Sequence, residues 1–145
     1  MPNPYIERII RPTGPIVVTS AQSIRVTSGQ FSGEALTYAD PIYKNATGNW
    51  FRSRADTPST MPTQGVTLST VPGAGIAIVV LVYGILPGVV FVAVDRGKTL
   101  YVGATGGLDV APPPVGAGFE QQEIGYVLDT GQGMIQLVQI SVEIP

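Results

Sequence analysis

The chain has 145 residues, eight basic and ten acidic side chains, a net charge of −2, and neither cysteine nor histidine. This excludes disulfides and thiolate metal sites, and it removes Ser-His-Asp and Cys-His catalysis and ordinary zinc centres. Charged residues make up 12% of the chain, against about 25% in typical soluble proteins, so the surface is neutral-polar or covered by another chain, and no basic run suits a nucleic-acid backbone.

Residues 1–15 are broken by Pro2, Pro4, Pro12 and Pro15. Asn3 can cap and Pro4 can open a short helix that ends before Pro12; the alternative is an extended arm. In the helix Tyr5, Ile6, Ile9 and Ile10 share one face. These four are the expected partner contacts, unless the segment packs on its own domain. Glu7, Arg8 and Arg11 interrupt the early apolar stretch, so no secretion signal is read there. Ile16–Val18 and the alternating Ser23–Thr27 are expected strands, with a turn at Ser28-Gly29. Residues 1–30 are thus an arm with first strands, and 31–145 a single β domain.

Expected strands then follow at Glu34–Tyr38, Pro41–Lys44 and Asn49–Arg52. The stretch Tyr43–Trp50 (YKNATGNW) recurs 58 residues later (101 − 43) as Tyr101–Leu108 (YVGATGGL). Each is a strand, a reversal at Ala-Thr-Gly, and a return strand opened by a large apolar residue. Gly65–Leu68 has its echo at Gly125–Leu128, and Gly73–Ile76 at Gly131–Met134. Three landmarks in register predict two copies of one β unit, about 33–83 and 91–142. Between the hairpins, Ala55–Thr63 reads as a loop, followed by strands at Gly65–Ser69 and Ile76–Tyr83.

The run Ile76–Val94 carries no charge and is long enough for a membrane helix. Its Val/Ile content and the breaks at Gly84 and Pro87-Gly88 argue instead for two buried strands, Ile76–Tyr83 and Val89–Val94, joined by a turn. Ile78, Val80, Val82, Val90 and Val92 are expected at a subunit interface, near the axis of a closed ring. Later strands are expected at Thr99–Val102, Glu123–Leu128 and Met134–Ile144, with a Pro-rich loop at Ala111–Gly118. Many short strands with turn signals predict an all-β sandwich or barrel.

No catalytic, metal or cofactor set emerges. Gly97-Lys98-Thr99 lacks the preceding glycine of a phosphate loop, and Gly73-Ala74-Gly75 is followed by no helix. Asn45-Ala46-Thr47 is a glycosylation pattern that reads as turn chemistry. Glu120 and Glu123 are the closest carboxylate pair and read as solvated edge charges rather than a glycosidase dyad. Asp40, Asp95 and Asp129 sit where turn amides need acceptors; Arg52, Arg54 and Asp56 read as a surface cluster. The aromatics Tyr43, Trp50, Tyr83, Phe91, Tyr101, Phe119 and Tyr126 read as core or interface rather than a sugar site.

Gly33–Leu36, Asp40–Tyr43, Tyr101–Leu108, Ala111–Pro114, Ile124–Leu128 and Met134–Ile140, in this order, resemble the small all-β structural proteins of tailed bacteriophages, above all head decoration (cement) proteins. The resemblance covers about residues 33–144 and rests on turn and strand chemistry. It implies a virion protein, made in the host cytoplasm, that sits on the capsid surface as a homotrimer and clamps neighbouring major capsid proteins, with no enzyme activity, cofactor or membrane. Similar patterns occur in tail-fibre and tail-tip appendages, for which the expected partner is a host-surface glycan.

Overall fold

The computed structural model describes residues 25–116, 118–137 and 142–143. The fold is all-β. In chain order the strands are β1 (Arg25–Phe31), β2 (Pro41–Lys44), β3 (Trp50–Arg52), β4 (Gly65–Thr67), β5 (Ala77–Pro87), β6 (Thr99–Val102), β7 (Leu108–Asp109), β8 (Glu120–Gln121), β9 (Glu123–Asp129), β10 (Gln132–Gln136) and β11 (Val142–Glu143). Nine of them form one curled antiparallel sheet, a half-barrel, in the order β3-β2-β4-β5-β10-β9-β6-β7, with β1 added along β5; β8 and β11 pair separately. The long apolar, β-branched β5 suits the centre of a sheet. β1 pairs with it over Ala77–Tyr83, β10 over Tyr83–Pro87, and β4 at Val80 and Leu81.

The strand order reads the same from each edge of the sheet inward to β5 and β10: hairpin return strand, first strand, third strand, fourth strand. Registers match too. Lys44 pairs with Trp50, and Val102 with Leu108. Ile42 pairs with Gly65, and Leu100 with Gly125. In the first hairpin Asn45 N–H donates to the Asn49 carbonyl and Gly48 N–H to the Asn45 carbonyl; in the second, Gly103 to Gly107 and Gly106 to Gly103. Gly48 at φ 88° and Gly106 at φ 108° supply the left-handed residue each reversal needs. The Asn45 carboxamide oxygen accepts from the Thr47 and Asn49 amides, the turn chemistry expected of it.

The third landmark does not keep its register. Gly131 lies in the tight turn from β9 to β10, and Tyr126 pairs with Met134. In the first half Val66 pairs with Leu81 rather than with Ile76, five residues earlier (81 − 76). The intervening chain is drawn aside at Val71, which exchanges backbone hydrogen bonds with Leu36.

Three local expectations are corrected. Ser28-Gly29 is not a turn: β1 runs through it with a register shift between Thr27 and Gln30, and Gly29 sits at φ 72°, as in a β-bulge. Glu34–Tyr38 is no strand; it is held at Leu36 by the isolated Val71 bridge and at Thr37 by its amide bonding to Asp40 Oδ2. The third concerns Gly84–Gly88. β5 continues through Gly84 to Pro87, and only Gly88, at φ 76°, turns the chain. Val89–Val94 then forms no strand, because it passes over the tip of the β9–β10 turn: Gly88 N–H donates to the Gly131 carbonyl and Phe91 N–H to that of Thr130.

The buried side chains form two clusters. One, with Leu36, Ile42, Trp50, Val71, Ile78 and Val80, belongs to the first half. The larger joins Val66 and Leu81 of the first half to Leu100, Val102, Ile124, Val127 and Ile135 of the second.

Candidate interaction surface

Tyr5, Ile6, Ile9 and Ile10 lie outside the described residues. The five expected interface residues separate into two groups. Ile78 and Val80 fill the first half's own core and Val82 packs against it, a correction that follows from β5 being flanked along this stretch by β1 and β4. Val90 and Val92 are exposed, at 93% and 60%, and Val94, which the sequence reading did not single out, at 80%.

These valines project from a segment fixed at many points. Val89 and Phe91 pack on the larger core. A single 3-10 turn at Ala93–Asp95 follows, with Asp95 N–H donating to the Val92 carbonyl. Gly97 N–H donates to the Val127 carbonyl, and Val127 N–H to that of Lys98. Nearby charges are satisfied among themselves. Lys98 Nζ is 2.8 Å from Asp95 Oδ1, and Arg96 Nε donates to Asp129 Oδ1 at 2.8 Å. The Arg96 hydrogen bond, and after it the Thr130 amide, hold the Asp129 carboxyl below the usual carboxylate range. The surface is therefore apolar side chains on a rigid frame, without a free charge of its own at these four residues.

Beside Val90 lies a cleft of about 230 Å³ between Tyr38, Asp40, Val89, Phe91 and Leu108. The Tyr38 hydroxyl donates to the Pro87 carbonyl, and burial pushes its pKa up. A wider, open groove of about 440 Å³ is lined by Tyr43, Lys44, Asn45, Ser59, Met61 and Gln64. Tyr43 is its one aromatic wall; the Phe51 ring lies 6.0 Å from Tyr43, tilted by 33°. Trp50 is buried, its Nε1 donating to Gln30 Oε1, so it presents no sugar-stacking face.

The expected surface cluster of Arg52, Arg54 and Asp56 divides. Arg54 and Asp56 form a two-bond pair at the surface, and that hydrogen bonding lowers the Asp56 pKa. Arg52 instead reaches Asp40, 3.0 Å away. Asp40 and Asp129 accept from turn amides as expected. Among the described residues no group of three or more acidic, Cys or His side chains is placed to hold a metal ion, and no helix is long and apolar enough to cross a membrane.

The run VVFVAV gave the signal for the valine surface, but a continuous apolar run does not say which members face out. No family model, curated protein or solved structure matches this chain.

Proposed function

We propose that the chain is a virion structural protein: a capsid decoration protein that binds the outer surface of a major capsid protein lattice as a homotrimer and stabilises the head. The observation that carries this reading is the rigid loop bearing Val90, Val92 and Val94. Exposed apolar side chains clustered on a fixed frame mark protein contact sites, and interface centres are depleted of charge. The contact face comprises this loop and the N-terminal arm with Tyr5, Ile6, Ile9 and Ile10. With Ile78 and Val80 in the core, Val89–Val94 is the segment left to approach the ring axis. The resemblance to head decoration proteins points the same way. Matched registers in both halves support descent from one doubled β unit.

Mass spectrometry of purified native particles tests virion membership and copy number together, and light scattering of the isolated protein tests the trimer. Particles lacking the chain sink the reading. Recovery with tails alone favours a glycan-binding tail appendage, for which the groove beside Tyr43 is the supporting feature.

A further inference from the structure

We propose that the free edge of β7 receives an extended segment of the partner protein that meets the valine surface, added as one more strand. The partner's identity rests on the contact face proposed above; the edge itself does not. The sheet ends in β3 on one side and β7 on the other, and an unpaired edge is a template for a further strand. Hydrogen-bonded pairs alternate along an antiparallel ladder. Asn45 bonds to Asn49 and Gly103 to Gly107. Trp50 and Arg52 in the first half, and Leu108 and Val110 in the second, therefore turn their N–H and C=O groups outward. In the first half such groups are met. Ser32 bridges Trp50 in parallel, Gly33 N–H donates to the Trp50 carbonyl at 2.7 Å, and Glu34 Oε2 accepts the Arg52 N–H at 2.7 Å. In the second half, among the described residues, nothing bonds to the outward groups of Leu108 or Val110.

The difference lies in the path of the chain. At the 58-residue offset from Gly33 and Glu34 stand Phe91 and Val92, the residues that would cover β7 if both halves were built alike. The Phe91 N–H is held instead by the Thr130 carbonyl at the β9–β10 turn. Beside Leu108 lies the cleft of about 230 Å³ that Tyr38, Ala39, Asp40 and Val90 also line. A cavity of about 150 Å³ accepts benzene, so one large apolar side chain fits. The Tyr38 hydroxyl and Asp40 Oδ2 are already bonded, to Pro87 and to Thr37 and Arg52, which favours an apolar occupant. Ala39, at φ 76° the one non-glycine with positive φ among the described residues, lines the same cleft, and strain of this kind gathers at binding sites. Charge marks the edge as well. A Cβ on Gly33 would lie 2.3 Å from the Phe51 ring, and the matching registers put Asp109 in the place of Phe51. Asp109 is exposed and pairs with no basic side chain among the described residues. The segment that fits therefore runs parallel to β7, with a basic residue beside Asp109, an acceptor for the Val110 N–H and an apolar side chain in the cleft. Val90 belongs to the cleft and to the valine surface alike, so one partner covers both.

The probes are three synthetic peptides of residues 30–36, the stretch that covers β3: the native sequence, one with Gly33→Lys to face Asp109, and one with Gly33→Pro, which lacks the N–H for the Leu108 carbonyl. NMR titration of the full chain should concentrate shifts at residues 107–111 and Tyr38. The lysine peptide should bind most tightly, and the proline peptide at least tenfold more weakly than it. Val110→Pro removes the outward N–H at a sheet edge, where proline is tolerated, and should weaken binding of the lysine peptide at least fivefold. No shifts at β7, or equal binding of all three peptides, overturns the proposal, and this reading uses the unaltered chain. Hydrogen exchange gives a second one. In the free protein the Arg52 amide should be protected and the Val110 amide not, and the lysine peptide should protect Val110. Protection of Val110 that grows with protein concentration alone gives the edge to a second copy and overturns the proposal equally. The titration contains no capsid, so its failure tells against the strand edge and leaves the capsid reading standing.

Discussion

Gln122 holds Thr63 by both backbone groups. Thr63 N–H donates to Gln122 Oε1 at 2.6 Å, and Gln122 Nε2 donates to the Thr63 carbonyl at 3.1 Å. Both residues are buried, at 1% and 0% exposure, and they stand 59 positions apart, one in each half. The carboxamide thus acts as one more rung of backbone pairing between the halves. Adjacent bonds reinforce it, with Ala55 N–H donating to Gly103 and Glu120 N–H to Ala55.

The first prediction follows. Gln122→Leu leaves the Thr63 amide and carbonyl without these partners in the interior, at roughly 1–3 kcal/mol for each group. Gln122→Glu keeps an acceptor for the amide but sets a carboxylate oxygen against the Thr63 carbonyl. Its folded-state pKa is raised, so this variant should lose stability as pH rises and regain part of it near pH 4, where a protonated acid donates. Urea midpoints across pH check both; a midpoint for Gln122→Leu within error of the parent would refute the clasp.

Gly65 and Gly125 supply the second. They pair with Ile42 and Leu100, equivalent positions of the two halves. An added Cβ would lie 2.2 Å from Val80 Cγ1 at Gly65 and 1.8 Å from the Met134 carbonyl oxygen at Gly125. A side chain is easier to displace than a backbone in the sheet. Gly65→Ala should therefore cost about 1–3 kcal/mol and be partly relieved by Val80→Ala, a coupling that a double-mutant cycle measures. Gly125→Ala should cost more, and no side-chain truncation should relieve it.

The two hairpins and the strands that flank them were legible because their causes are local: Asn45, Gly48 and Gly106 set the reversals, and Ile42 and Leu100 set the buried face. What was not legible depends on distant partners. Nothing around Leu36 announces that Val71 will bind it. Gly84, a breaker by composition, is carried through β5 because β10 pairs across it at Ile135. Val90 and Val92 look no different from Ile78 and Val80 until the β9–β10 turn fixes the path of residues 88–91. A buried Gln122 within the polar run QQE carries no sign that its partner is Thr63.

The third prediction concerns acid. Asp56 and Asp129 both have depressed folded-state pKa values, caused first by hydrogen bonds from Arg54 and Arg96. The sign follows from linkage: a carboxylate stabilised in the fold contributes above its unfolded pKa, and the contribution is lost as pH falls through the folded value. Both pairs are solvent-accessible, so the effect on stability should be small, confined to pH below about 4, and weaker at high salt. Carboxyl titrations followed by NMR should show Asp129 alone moving up in Arg96→Ala, and Asp56 alone in Arg54→Ala.

The last prediction separates assembly from folding. Val90, Val92 and Val94 make exposed surface, and substitutions there change stability by about 0.5 kcal/mol or less. Burying one such side chain in a contact contributes on the order of 1.5 kcal/mol or more before ordering costs. V90S/V92S/V94S should therefore melt like the parent yet weaken self-association and capsid binding by at least tenfold. Deleting residues 2–14 removes Tyr5, Ile6, Ile9 and Ile10, so it should weaken capsid binding with circular dichroism unchanged. Because these contacts are apolar, what binding remains should vary little with salt, unlike a charge-driven contact. Sedimentation velocity and binding to undecorated capsids over a salt series measure both effects. Unchanged assembly and capsid binding in both variants would remove the valine loop and the arm from the contact face.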